Sequence, residues 1–204
     1  MHRYGIRFSI LLKTGPTSIT GIKYSDDPGI LMIELYGEIP PNTNDASFFH
    51  NALSYLRSVD HNHLISSGGF LNINYNSGID WKSIMMDPDN QVCDLEVYSS
   101  GDRNISVPNV SGLCKSLGKP WFLSAWSSCY QVPSDSSDIS HFTTDTQMAS
   151  HADDMYSIAK GASPAAMASI GSDFWNLKNS QPKLGNCDLN PNYPAAWIAV
   201  QNGY

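Results

Sequence analysis

Residues 26–40 read DDPGILMIELYGEIP, and this stretch decides the predicted fold. The apolar run 30–35 has the length of a strand and no polar alternation apart from Glu34, as expected where both faces of a parallel sheet are covered. Glu38 follows Glu34 by four residues, so both side chains leave the same side of an extended chain. The segment therefore predicts a buried strand that carries Glu38 to the C-terminal rim of a barrel, where barrel enzymes hold catalytic groups. An ordinary solvated loop glutamate is the alternative interpretation.

The rest of the chain alternates strand and helix signals, which is typical of a βα architecture with a parallel sheet. The predicted strands are 5–12, 30–35, 63–66, 93–98, 121–125 and 167–174. The predicted helices are 46–59, 107–117, 144–160 and 195–202, and residues 131–140 and 179–192 are predicted loops. We therefore expect an α/β fold, namely an incomplete (β/α)8 barrel of about six parallel strands with outer helices.

Composition limits the class of protein. The chain has 204 residues, 41% of them hydrophobic, so residues 1–204 are predicted to form one domain around a single core. A formal net charge of -7 leaves no basic patch, so nucleic acid is not an expected partner. No run approaches the roughly 18 apolar residues of a membrane span, and no signal peptide is visible. A membrane partner is therefore not expected either.

The sequence predicts no metal and no cofactor. A zinc site is not expected, because no CxxC spacing links the four cysteines Cys93, Cys114, Cys129 and Cys187. Cys129 and Cys187 both follow predicted strands, where they could form a disulfide or remain free thiols. His61 and His63 are spaced like a metal-binding pair, but no third ligand accompanies them, so a structural role is predicted.

Several segments resemble glycoside hydrolase family 5 endo-β-1,4-mannanases. Residues 20–40, TGIKYSDDPGILMIELYGEIP, are similar to the family segment that typically reads T-G-x-x-Y-x-D-D-P-T-I-x-x-W-E-L-x-N-E-P. The segments RYGIRFSILL, YLRSVDHNHLISSGGF, GKPWFLSAWSS and ASIGSDFWNL resemble the family's third, fifth, seventh and eighth strands with their flanks. These matches lie in the family's order and cover most of the chain.

The resemblance implies the third to eighth βα units of a barrel that usually needs about 250 residues. Only residues 13–19 separate the segments similar to the third and fourth strands. We therefore expect an open barrel fragment, a swapped or dimeric assembly, or a product of gene erosion or mispredicted gene boundaries. Unpaired sheet edges would favour self-association. The family resemblance also implies an extracellular location.

The resemblance also assigns site residues. Retaining glycosidases use two carboxyl groups about 5 to 5.5 Å apart, an acid/base and a nucleophile. Glu38 falls on the acid/base position, whereas Ala125 falls on the nucleophile position and has no group that can attack a sugar. Gly37 stands where the family has the asparagine that binds the substrate's 2-hydroxyl. One of the two catalytic carboxylates is therefore missing.

Three further residues complete the implied site. Tyr98 and Trp175 match the tyrosine that orients the nucleophile and the tryptophan that forms a sugar platform. Glu96 replaces a histidine, and it is either a substitute carboxylate or a strand-end residue that reaches solvent. Glu34 is predicted to be a buried, hydrogen-bonded residue. Four other tryptophans are predicted to belong to the core rather than to sugar platforms: Trp81, Trp121, Trp126 and Trp197.

Three functions remain open from the sequence. The first is a retaining endo-β-1,4-mannanase or related glycanase that hydrolyses internal glycosidic bonds, with this copy catalytically impaired. The second is a pseudoenzyme in which Glu38, Tyr98 and Trp175 hold a sugar without cleaving it. The third is a fragment without independent function. The partner expected in the first two cases is a β-1,4-linked polysaccharide, mannan or glucan.

Overall fold

The computed structural model describes residues 21–39, 46–71, 73, 80–130, 141–174, 189 and 191–203. The strands in this part of the chain are β1 (Met32–Glu34), β2 (Glu38–Ile39), β3 (Leu64–Ser66), β4 (Gly69–Phe70), β5 (Cys93–Val97), β6 (Trp121–Trp126), β7 (Cys129–Tyr130), β8 (His141–Phe142) and β9 (Ser172–Phe174). The helices are α1 (Ala46–Val59), α2 (Trp81–Met86), α3 (Val107–Leu117), α4 (Asp145–Ala159) and α5 (Pro194–Gly203). A π-helical segment, Asp102–Ser106, leads into α3.

The fold is α/β and is built on a parallel sheet. Five strands lie in the order β2-β4-β5-β6-β9, each parallel to its neighbour. Two parallel pairs, β1-β3 and β7-β8, accompany this sheet. Successive βα units therefore contribute neighbouring strands, as in an incomplete (β/α)8 barrel, and the predicted fold class is confirmed.

Gly68 lies in the two-residue gap between β3 and β4, where the strand is interrupted. Gly68 has a φ of 108°, a left-handed conformation that L side chains rarely adopt. A Cβ at this position would run into the carbonyl oxygen of Tyr36, which lies between β1 and β2. The segment from β1 to β2 and the segment from β3 to β4 therefore approach each other closely here, and only glycine allows it. The prediction of one strand at 30–35 thus missed a second short strand, β2, that begins at Glu38.

Amphipathic patterning places the outer helices. In α1 the residues Phe49, Leu53 and Leu56 recur at helical spacing and are buried. The predicted bounds of α1 and α3 are confirmed. Helix α3 ends at Gly118, whose φ of 66° gives the left-handed C-terminal cap. Thr144 caps the start of α4 by accepting a hydrogen bond of 3.2 Å from the Gln147 amide.

No helix of the described residues has the length and apolar character needed to cross a membrane.

Aromatic residues fill the core on one side of β6. Trp121 and Trp126 are fully buried, which confirms their predicted place in the core. The Trp126 ring makes edge-on contacts with His151, Tyr156 and Phe174. These contacts join β6 to α4 and β9. Trp81 and Trp197 are partly buried and pack against the same core.

Two other sequence predictions were incomplete or wrong. Strands β4, β7 and β8 and helix α2 were not predicted, because elements of two to six residues are too short for a periodic signal. The predicted strand 167–174 is restricted to Ser172–Phe174. Its first half is irregular instead, and the Ser169 amide donates a hydrogen bond of 2.7 Å to the Ala159 carbonyl. The predicted strand 5–12 lies outside the described residues.

A disulfide that the sequence did not predict joins the sheet to an outer helix. Cys93 at the start of β5 is bonded to Cys114 near the end of α3, with the Cα atoms 6.5 Å apart. Spacing alone does not reveal this pair, because it depends on α3 packing against β5. Cys129 is disulfide-bonded as well, so it is not a free thiol. Its predicted partner, Cys187, lies outside the described residues.

His63 has the structural role that the sequence predicted. Its Nδ1 lies 2.7 Å from Oδ2 of Asp60, and its Nε2 lies 3.0 Å from the carbonyl oxygen of Asp27. The other Asp60 oxygen accepts the amides of Asn62 and His63, each at 3.0 Å. This buried turn places the chain at the entry to β3. Among the described residues no cluster of three metal-ligating side chains occurs.

Candidate functional site

The predicted site residues meet across four neighbouring strands. Glu38 on β2 is paired in register with Gly69 on β4, and Glu96 on β5 is paired with Ala125 on β6. A bulge leaves Ser124 outside the ladder, which shifts Ala125 into register with Glu96. Bulges of this kind often re-aim side chains next to active sites. Glu96 therefore stands directly beside the methyl group at position 125.

Gly69 provides the room that Glu96 occupies. A Cβ at position 69 would lie 2.6 Å from Oε1 and 2.7 Å from Cγ of Glu96, and 2.7 Å from Oγ of Ser124. Such separations are shorter than van der Waals contact, so a larger residue would displace the carboxyl group. The Glu96 side chain thus lies over β4, on the side of β5 toward Glu38.

Glu96 is buried rather than exposed at a strand end. Only 4% of the residue is exposed, and among the described residues its Oε2 has no hydrogen-bond partner. Burial raises the pKa of Glu96 to about 8, and the charges of Glu38, Glu34 and Asp102 add to the increase. The interpretation of Glu96 as a solvent-reaching residue is therefore wrong. At neutral pH its carboxyl group is mainly protonated.

Glu34 and Asp94 form a second pair of acidic groups. Asp94 on β5 is fully buried and accepts a hydrogen bond of 3.1 Å from Oγ of Ser66. Burial, followed by the charge of Glu34, raises the pKa of Asp94 well above its ordinary value. Glu34 itself is exposed at the end of β1, so the prediction that it is buried is wrong. Its carboxyl group interacts with the buried Asp94, so the hydrogen-bonded part of the prediction is not contradicted.

Tyr98 follows β5 directly and is half-buried. Burial raises the pKa of its hydroxyl, and the nearby Glu96 and Glu38 raise it further. The hydroxyl therefore stays protonated and can donate a hydrogen bond. The backbone is held by Asp102, whose carboxylate accepts the amides of Tyr98 at 3.4 Å and Ser99 at 3.2 Å.

The structure therefore brings Glu38, Glu96, Tyr98 and Ala125 into one region. Gly37 immediately precedes Glu38 and is exposed. Apart from its chain neighbours, no described residue has an atom within 4 Å of the place where a Cβ would lie. Trp175 lies outside the described residues.

Sequence reasoning did not single out Gly69 or Asp94. The signals were present: the Gly68-Gly69 pair at a strand end suggests a close approach to the backbone, and Asp94 interrupts an apolar strand. Neither signal shows which side chain fills the space over the glycine. To know that the Glu96 side chain fills this space, one needs the register in which β4 pairs with β5.

A separate groove lies near Glu34 and holds none of the four site residues. It has a volume of about 940 Å³ and lies between β1 and the segment that ends in β9. Leu31 and Ile170 line it, and both are exposed. The groove is mainly apolar. We assign the chemistry to the carboxyl cluster of Glu34, Glu38, Glu96 and Asp102, because a buried carboxyl group and exposed ones lie close together there.

Comparison with solved structures agrees with the fold. The structure is similar to that of the hyperthermostable endo-1,4-beta-D-mannanase from Thermotoga petrophila RKU-1 with maltose and glycerol, with a TM-score of 0.70 and 19% identity over 98% of this chain and 63% of that chain. It is also similar to a glycoside hydrolase family 5 mannosidase from Rhizomucor miehei in complex with mannosyl-fructose, with a TM-score of 0.63 and 13% identity over 98% of this chain and 56% of that chain. The chain thus spans less than two thirds of either structure. No family model and no curated protein sequence matches it. These similarities show that the chain has the fold of these mannanase and mannosidase structures.

Proposed function

We propose that the chain derives from a retaining endo-β-1,4-mannanase or related glycanase, and that it binds a β-1,4-linked polysaccharide with little or no hydrolysis. The single observation that carries the proposal is the composition of the site. Glu38 remains at the strand end, while the position beside Glu96 in the ladder holds the methyl group of Ala125. The site keeps the carboxyl group at the acid/base position and lacks the attacking group.

The chemistry explains why this loss matters. In a retaining glycosidase a carboxylate attacks the anomeric carbon while an acid protonates the departing oxygen, and water then hydrolyses the glycosyl intermediate. Glu38 occupies the position of the acid, but Ala125 has no electron pair to form the bond to carbon. General acid assistance alone typically gives about 10²- to 10⁴-fold acceleration. Hydrolysis by this route is therefore impaired.

Glu96 is a weak replacement for the nucleophile. Below a pH of about 8 its carboxyl group is mainly protonated, and a neutral carboxyl group attacks carbon poorly. Its side chain also lies over Gly69 and not over Ala125. An active enzyme that uses Glu96 is the competing proposal, because Glu96 and Glu38 approach each other across a residue without a side chain.

Retention of binding is supported by the polar groups around the vacated position. Glu38 is exposed and Tyr98 keeps a protonated hydroxyl, so a sugar hydroxyl would find both an acceptor and a donor. The similar structures were solved with maltose or mannosyl-fructose, which supports a glycan as the ligand class.

An extracellular location is part of the proposal, and the Cys93–Cys114 disulfide supports it, because such bonds persist in oxidising compartments. We also propose that residues 1–204 act as a single domain. Self-association through sheet edges remains a proposal that sedimentation analysis would test.

Calorimetric titration with β-1,4-linked mannohexaose and glucohexaose tests the proposed function. We expect measurable binding of at least one of them and no release of reducing sugar over prolonged incubation. Tyr98→Phe should weaken binding by up to about tenfold, because one hydrogen bond is lost. Asp153→Asn, at an exposed position on α4, should bind like the parent. Failure to bind either sugar overturns the proposal, and turnover that Glu96→Gln abolishes establishes the competing one.

A further inference from the structure

Two acceptor patterns for an N-linked oligosaccharide lie where the π-helical segment passes into α3. Residues 104–106 read Asn-Ile-Ser and residues 109–111 read Asn-Val-Ser, and neither middle residue is proline. Both asparagines are exposed, as a glycan acceptor on a folded protein has to be. The surroundings of Asn104 also fix how its amide group is turned.

The π-helical segment has an inner face and an outer face. Asp102 and Ser106 are buried, and the charge of Asp102 acts on Glu96 in the carboxyl cluster. Asn104 and Ile105 lie between them in sequence and are exposed, Ile105 to 47%. A bulky glycan on Asn104 would therefore stand on the outer face and leave the carboxyl cluster open.

Arg103 determines which atom of the Asn104 amide group faces the protein. Its Nε and Nη2 atoms each donate a hydrogen bond of 2.8 Å to the carboxylate of Asp154 on α4, which holds the guanidinium in place. Its Nη1 donates a bond of 3.0 Å to Oδ1 of Asn104. A guanidinium has donors only, so the amide has to face it with its oxygen. Nδ2, the atom to which an N-linked glycan is attached, is therefore turned away from Arg103 at an exposed position.

We propose that Asn104 carries an N-linked oligosaccharide when the chain passes through a eukaryotic secretory pathway. The inference rests on the extracellular location included in the proposed function, and it assigns a modification site that the sugar-binding argument does not use. The Cys93–Cys114 bond and the disulfide at Cys129 support this route, because disulfides form in the oxidising compartments of the secretory pathway.

The chemistry is a substitution at the anomeric carbon of a lipid-linked oligosaccharide diphosphate, which the host's transferase supplies. Nδ2 of Asn104 forms the new bond to that carbon, the bond from the carbon to the diphosphate oxygen breaks, and the lipid diphosphate leaves with the electron pair. The amide nitrogen gives up one proton to a base of the transferase. The Oδ1 carbonyl is unchanged in the product, so the hydrogen bond from Arg103 is compatible with the glycosylated chain.

The test is expression of residues 1–204 in insect cells behind an added secretion signal. Cell and medium fractions are digested with peptide-N-glycosidase, and the loss of mass is read from gels and mass spectra. We expect digestion to remove a glycan from the parent, and Asn104→Gln to carry one oligosaccharide fewer. Glutamine keeps an amide oxygen for Arg103 but is not an acceptor, so the variant changes the pattern and preserves the polar group.

The second acceptor pattern provides the matched control. Asn109 is exposed in the first turn of α3, and Asn109→Gln should keep the glycan on Asn104. The transfer precedes export, so the cell fraction decides the question even for chains that are not exported. A parent whose mass does not change on digestion overturns the inference, and so does a glycan that is lost only in Asn109→Gln.

Sugar binding is measured separately, so failure of this inference and failure of the proposed function are distinguishable. Glycosylated parent, digested parent and Asn104→Gln should bind mannohexaose alike, because Asn104 lies on the outer face. Weaker binding by Asn104→Gln than by digested parent would place this side chain in the sugar site and overturn the assignment of the outer face. Absence of binding by all three proteins, with the glycan present on Asn104, contradicts the proposed function and leaves the modification site established.

Discussion

Asp60 and Glu96 are both buried acidic residues, but their surroundings differ completely. Asp60, 1% exposed, accepts two backbone amides and contacts the imidazole of His63. Burial alone would raise its pKa, but hydrogen bonds from His63 and Asn62 outweigh burial and hold the pKa below its ordinary value. Among the described residues Glu96 has no donor for Oε2, and burial, together with the charges of Glu38, Glu34 and Asp102, raises its pKa to about 8.

The comparison separates a carboxyl group whose partners the fold supplies from one that has an oxygen without a donor among the described residues. Each oxygen of Asp60 has its partner within the chain, so removal of that carboxylate affects folding. Ionisation of Glu96 costs free energy in the folded state, because the carboxylate is desolvated and is repelled by the charges of Glu38, Glu34 and Asp102. Buried polar groups without partners occur preferentially at functional sites.

The largest expected effect is the loss of the Asp60–His63 pair. Asp60→Ala should lower the free energy of unfolding by about 3 to 5 kcal/mol, because it leaves buried donors without an acceptor. Urea denaturation measures the change. The control Asp153→Ala removes an exposed carboxylate and should stay within about 0.5 kcal/mol of the parent. Equal effects of the two substitutions would remove the distinction that we draw.

A smaller effect is expected where a side chain would enter the space over Gly69. Gly69→Ala should destabilise the fold by about 1 to 3 kcal/mol through overpacking against Glu96 and should weaken sugar binding. Gly112→Ala in α3 is the matched control, since no atom lies within 4 Å of its Cβ position. That change should stabilise the helix by about 0.5 to 1 kcal/mol. Unchanged binding and stability in Gly69→Ala would show that Glu96 lies elsewhere.

The pH dependence of stability tests Glu96 directly. Because its pKa is raised in the folded state, the folded protein binds this proton more tightly than the unfolded chain, whose glutamate titrates near a pKa of about 4.3. Stability should therefore fall as pH rises from about 4.3 to about 8, by at most about 1.4 kcal/mol per pH unit from this residue. Glu96→Gln should flatten the slope measured by urea denaturation. An identical slope in the variant would contradict the assigned pKa.

The Asp60–His63 pair should contribute most to stability between about pH 3.9 and about pH 6.5, where both of its members are charged. Burial alone would lower the pKa of His63, but Asp60 and the carbonyl of Asp27 outweigh it and raise the pKa. The histidine contribution is complete below about pH 6.5 and is lost as pH rises through the folded pKa. The Asp60 contribution is complete above about pH 3.9 and is lost as pH falls through its lowered pKa. His63→Gln should remove the alkaline part of this dependence, whereas a slope that stays the same would argue against the pair.

The sequence predicted the long helices and central strands, because periodicity and caps are local. The bounds of α1 and α3 needed only the spacing of apolar residues and a terminal glycine. The burial of Glu96, its place over Gly69 and the Cys93–Cys114 bond could not be predicted, because each depends on the packing of segments distant in sequence. Glu34 was misplaced for the same reason, since its exposure depends on what lies beside β1.

The most direct test of the central claim is chemical rescue by azide. An activated aryl β-mannoside needs little protonation of its leaving group, and a small anion can attack from the space beside Ala125. We predict slow release of the aryl group that depends on azide and yields the α-mannosyl azide, because a single displacement inverts the anomeric centre. Glu38→Gln should change this release little. Rapid release without azide, abolished by Glu96→Gln, would contradict the account and show that Glu96 has become the nucleophile.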